Sequence, residues 1–138
     1  MPKDCEKLLK KKSHILEDRK TGSKASVRLE NKAQTKFTVI EFDGCEMENQ
    51  TACDYVVTTE KQALYVELKG SDVRKAHKQV LVAANYYKKS HSSKSKIGII
   101  AFTGRPKESS FIQTQKRALM LKHKLKMICE RSPVTHKL

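Results

Sequence analysis

Asp54, Glu67 and Lys69 are the residues whose types and spacing could do chemistry. Glu67 and Lys69 close the run "ALYVELKG" at 63–70, which otherwise reads as a buried strand. A preceding run, "CDYVV", and this one flank "TEKQ", so the two predict a β-hairpin with Glu60 and Lys61 at its tip. Counting outward without a bulge, Thr59 faces Gln62, Thr58 faces Ala63, and Asp54 falls opposite Glu67. Cross-strand partners on one face have β-carbons about 5 Å apart. Period two sends Ala63, Tyr65, Glu67 and Lys69 to one side and Leu64, Val66 and Leu68 to the other.

Two repelling carboxylates and one lysine on one face are costly unless a cation neutralises the pair. Mg²⁺ suits this arrangement, because it takes one or two carboxylates and keeps waters in its remaining octahedral positions; Mn²⁺ is the alternative. A lysine amine beside it can orient an attacking water or stabilise charge developing at phosphorus. Gly70 lets the chain leave the strand closely, and the helix after it offers an electropositive N-terminus. A plain salt-bridge cluster on a solvated sheet face would also explain the alternation, but not the glycine, the capped helix and the basic chain that follow.

The spacing Asp54, twelve residues, then Glu67-Leu68-Lys69 resembles the PD-(D/E)xK nuclease superfamily, which includes restriction endonucleases and Holliday junction resolvases. "CDYVV" and "YVELKG" resemble its acid strand and its ExK strand, with Cys53 where the family has proline. The resemblance implies metal coordination by Asp54 and Glu67, with the Leu68 carbonyl as an occasional further ligand, and a catalytic role for Lys69. It also implies a polar residue on the next helix, for which Gln79 is placed suitably, and a further acid from the N-terminal elements, with Glu6, Glu17, Glu30 and Glu41 as candidates. The fold it implies is a restriction-endonuclease-like core, α-β-β-β-α-β.

The elements that must position these residues are read as follows. Residues 4–18 place Cys5, Leu8, Leu9, Ile15 and Leu16 at helical spacing behind Asp4, which predicts a first helix. Short strands follow at 26–31 and 36–43, then a loop, then the hairpin. Residues 71–91 carry Val73, Ala76, Val80, Ala83, Ala84 and Tyr87 at three- and four-residue intervals behind a Ser71/Asp72 cap, a helix lying on the sheet. "KIGIIAFTG" at 96–104 reads as a central strand reached by that helical crossover, parallel to the hairpin strand. A helix at 109–122, an edge strand at 125–130 and a polar end complete an α/β domain with a mixed central sheet flanked by helices. The 138 residues suffice for one domain, 1–138.

A formal charge of +14 points to a polyanion, foremost nucleic acid and DNA in particular, with Lys75, Lys78, Lys88, Lys89 and Lys94 as candidate phosphate contacts. Neither a membrane span nor a signal segment is visible, so the expected address is cytoplasmic. The four scattered cysteines are accordingly expected to be reduced, and the five dispersed histidines to be surface residues. The family resemblance adds a possible homodimer. Two other classes remain: a catalytically inactive nucleic-acid-binding or assembly module with the same fold, and a regulator whose positive face meets an acidic protein.

Overall fold

The computed structural model describes residues 4–18, 24–48, 50–69, 72–104 and 109–138, with the side chains of Lys69 and Ser109 outside the description. The described elements are β1 (Glu6–Leu9), β2 (Ser13–Glu17), β3 (Ser26–Glu30), β4 (Phe37–Glu41), β5 (Tyr55–Thr58), β6 (Gln62–Lys69), α1 (Val73–Tyr86), β7 (Ser95–Phe102), α2 (Ser109–His123), β8 (Leu125–Arg131) and β9 (Val134–Lys137). A mixed six-stranded sheet has the order β1-β4-β5-β6-β7-β8, and a three-stranded sheet the order β2-β3-β9. Strands β1, β4, β5 and β6 are antiparallel in succession, whereas β6, β7 and β8 run parallel.

Alternation along β6 divides the core into two layers. Ala63 and Tyr65 pack with Ala76, Val80 and Ala83 of α1 and Leu119 of α2. Leu64, Val66 and Leu68 face the other way and pack with Leu16, Val27, Leu29 and Val134 of the small sheet. Residues 63–68 are all buried, which explains why β6 is nearly continuous in apolar character. The helices therefore share one face of the central sheet, and the three-stranded sheet covers the other.

Helix α1 begins where the sequence places its cap: Asp72 Oδ1 accepts from Lys75 N at 3.1 Å. Its fit to the sheet depends on Gly98 of β7, where a Cβ would stand 2.8 Å from Val80 Cγ1 and 2.5 Å from Met127 Sδ. Phe111 docks α2 onto α1, meeting His77 edge-on with ring centroids 5.4 Å apart and lying 4.3 Å beneath the Arg74 guanidinium.

Several expectations are corrected. Residues 4–18 form β1 and β2, not a helix. Asn31 fixes the turn between them, its backbone N–H bonding Lys12 O at 2.7 Å and its side-chain amide bonding Lys11 O at 3.0 Å. Strand β1 then pairs with the otherwise open edge of β4. The cysteines are not all reduced: Cys5 and Cys45 form a disulfide, while Cys53 and Cys129 remain thiols. The polar end contains β9, which pairs in parallel with β3 and buries Val134. His77 and His91 are buried, not surface residues. Among the described residues no helix is long and apolar enough to cross a membrane.

Candidate active site

The hairpin has the register its tip residues dictate. Thr59 N bonds Gln62 O at 2.9 Å, and Tyr55 pairs with Val66. Continued one step further, the same register sets Asp54 across from Glu67. The ladder ends there because Asp54 and Cys53 turn their carbonyls to the neighbouring segment, accepting from Phe42 N at 3.0 Å and Asp43 N at 3.1 Å. Leu68 N–H thereby loses a backbone acceptor and bonds Asp54 Oδ2 instead, at 2.9 Å. The Asp54 carboxylate is in this way aimed along the sheet at the residue after Glu67.

Glu67 is 2 % exposed, and its side chain is near enough to influence the Asp54 carboxyl group. Burial raises the Asp54 pKa above the ordinary carboxylate value; the Leu68 N–H lowers it, the charge of Asp18 raises it, the Glu67 contact lowers it and the charge of Asp43 raises it, with a net rise. Burial, followed by the charges of Glu67 and Asp54, also pushes the adjacent Cys53 thiol well up, which keeps it protonated and unreactive. Two neighbouring carboxyl groups favour a proton or a cation beside them, and oxygen donors of this kind suit a hard divalent ion. Asp54, Glu67 and the Leu68 carbonyl are the residues that would hold it. The remaining positions of such an ion are ordinarily filled by water or phosphate oxygens.

Gln79 is buried beside the same segment. Its Nε2 donates to Ala52 O at 3.1 Å, two residues before Asp54, and its Oε1 is buried without a hydrogen bond among the described residues. The expected helical polar residue is thus joined to the acid strand through the backbone. Lys69 ends β6 opposite Phe102 of β7, and its side chain, like Gly70 and Ser71, lies outside the described residues.

None of the four N-terminal candidates is among the charges that shift Asp54. Glu6 and Glu41 are exposed on β1 and β4, and Glu30 belongs to the small sheet. Glu17 approaches only with its backbone, its carbonyl accepting from Tyr55 OH at 2.7 Å. That contact brings the end of β2 to the start of β5, and the acid it delivers is Asp18. Asp43 arrives with the turn joined to Cys53. Both acids were missed, Asp18 because it falls at the end of a segment with helical spacing and Asp43 because it closes a strand. Among the described residues no group of three or more His, Cys, Asp or Glu side chains is arranged to hold a metal, so Asp18 and Asp43 act through space on a two-carboxylate site.

The candidate lysines divide between the two ends of the sheet. Lys75 and Lys78 are exposed on the first half of α1, which starts from the acid end of β6. Lys88 and Lys89 are exposed beyond the far end of α1, and Lys94 is half-buried before β7, its Nζ donating to the Thr59 and Glu60 carbonyls at the hairpin tip. Comparisons with protein-family models, with curated proteins and with solved structures gave no match.

Proposed function

We propose that the chain is a metal-dependent nuclease that hydrolyses phosphodiester bonds, with DNA as substrate and Mg²⁺ or Mn²⁺ as cofactor. The observation that carries this reading is the hairpin register, closed by the Leu68 N–H to Asp54 Oδ2 bond, which sets Asp54 across from the buried Glu67 at the carboxyl end of a central parallel strand, where open α/β sheets commonly bind ligands. The succession β4, β5, β6, α1, β7 is read as the restriction-endonuclease-like core, with strands where its first helix was expected.

Asp54 and Glu67 would hold the ion, aided by the Leu68 carbonyl. When bound, the ion supplies Lewis acidity and neutralises charge on the scissile phosphate. Lys69 orients the attacking water and assists removal of its proton; the water oxygen bonds to phosphorus as a phosphorus–oxygen ester bond breaks, and the leaving oxygen takes up a proton. Gln79 is a positioning residue, fixing the segment that leads into Asp54 through Ala52 O. Incubation with linear, circular, nicked and branched DNA, with and without metal, tests the reading: cleavage that requires the metal and is lost in Lys69→Ala supports it.

The absence of a third ligating acid among the described residues favours one second reading, a nucleic-acid-binding or assembly module of the same fold. It predicts salt-sensitive binding and no cleavage of any DNA or RNA form with either metal.

A further inference from the structure

The parallel strands β6, β7 and β8 start together at the end of the sheet opposite the acid pair. A groove of about 620 Å³ opens there, lined by Lys94, Lys96, Lys124, Lys126, His136 and Gln62, with Ile97 and Met120 supplying apolar wall. Among the described residues no acidic side chain lines it. Its cations come from three separate places: Lys94 and Lys96 from the entry to β7, Lys124 from the end of α2, and Lys126 from β8. Two features make the wall firm: Lys94 is tied to the hairpin-tip carbonyls, and His136 Nε2 meets Gln62 Oε1 at 3.1 Å. The field of the lysines is felt by neighbouring rings. Lys94 and Lys96 help to depress His91, and Lys126 helps to depress His136, in each case after burial.

Gln62 also lines a second groove of about 690 Å³ on the other side of the hairpin tip, which adds Lys10, Lys36 and Lys61 against the single acidic side chain of Glu60. The two form a basic belt around one end of the molecule. A lone phosphate would use one part of it, whereas a chain of regularly spaced phosphates engages several elements at once and releases a counterion at each. From Gln62 to Glu67 is five residues of extended strand, about 17 Å.

From this arrangement we infer that the belt centred on Lys96, Lys124 and Lys126 is a binding surface for the phosphodiester backbone of nucleic acid, separate from Asp54 and Glu67. It needs no metal, and it stands whether or not the acid pair cleaves.

The test is binding of a fluorescent DNA duplex to the full chain in EDTA across a salt series, comparing the wild type with Lys96→Glu/Lys126→Glu and with Lys7→Glu/Arg28→Glu, a matched charge reversal at exposed positions that line neither groove. The belt variant is expected to bind roughly tenfold more weakly or worse, with its salt slope reduced by about 2. The matched control is expected to lose clearly less affinity and to keep its slope closer to that of the wild type. Unchanged affinity and slope in the belt variant would overturn the inference, as would an equal loss in the matched control. Competition by inorganic polyphosphate separates the sources: if the variant loses polyphosphate but keeps DNA, the nucleic-acid occupant is wrong. Should the strand variant fail to fold, Lys124→Glu with Ser92→Glu, both at exposed positions off the strands, makes the same comparison. Cleavage is not measured, so failure here and failure of the nuclease reading are distinguishable.

Discussion

Asp54 accepts a hydrogen bond at 2.9 Å from the backbone N–H of Leu68, the residue that follows its cross-strand partner Glu67. One carboxylate thus closes the end of the β5–β6 ladder across from the second carboxyl group. The structural task and the chemical one fall on the same side chain, and substitutions at Asp54 separate them.

Because burial and neighbouring acids raise the Asp54 pKa, the folded protein binds that proton more tightly than the unfolded chain does. The associated stability is present below the unfolded value and is lost as pH rises through the folded one. In Asp54→Asn, which keeps an oxygen for Leu68 N–H, the metal-free protein is expected to melt about 2–4 °C higher near neutral pH, the shift that ~1 kcal/mol gives in a domain of this size. The difference should shrink in acid. Thermal unfolding of both proteins at several pH values checks it.

His91 has the opposite sign. It is buried against Tyr65, whose hydroxyl lies 2.8 Å from Nδ1, and stacks on Tyr87, with Lys94 and Lys96 nearby. Burial first and these lysines next depress its pKa to about 4. The unfolded chain takes up the proton near pH 6.5, so stability falls as pH drops from there towards 4. His91→Gln, which does not titrate, should flatten this limb; urea midpoints between pH 4 and 7 for the two proteins test it.

The Cys5–Cys45 disulfide closes a sequence separation of 40 and joins the start of β1 to the turn whose Phe42 and Asp43 amides hold Asp54 and Cys53. Chain entropy for such a loop gives a stabilisation of about 2–4 kcal/mol. Cys5→Ser/Cys45→Ser should lower the urea unfolding free energy by that amount and speed hydrogen exchange at Phe42 and Asp43. Intact mass of the wild type before and after reduction reports whether the bond is present.

Gly98→Ala should destabilise by about 1–3 kcal/mol, because the new methyl meets Val80 and Met127 at less than contact distance in a packed layer. Denaturant titration measures it. Retention of full stability would mean that α1 does not lie over β7 as described.

The parts of this fold governed by local rules were legible in the sequence. The hairpin register follows from its tip, and with it the placement of Asp54 across from Glu67; α1 follows from its apolar stripe and Asp72; β7 follows from an apolar run of strand length. Residues 4–18 were not legible, since Cys5, Leu8, Leu9, Ile15 and Leu16 suit a helix stripe equally well. Leu8 and Ile15 are 65 % and 52 % exposed, and what selects strands is distant: the edge of β4, the Asn31 clamp and Cys45. The same nonlocal choice hid Asp18. His77 was misjudged because a helix turns it inward, where its Nδ1–H donates to Val73 O at 2.7 Å.

The most direct test of the central claim is Mn²⁺ binding followed by electron paramagnetic resonance, run on the wild type, Asp54→Asn and Glu67→Gln, with DNA cleavage measured on the same samples. The account predicts one bound ion in the wild type, its loss in both variants, and cleavage that disappears with it. Undiminished Mn²⁺ binding in either variant, or cleavage that persists without Asp54 or Glu67, would contradict it.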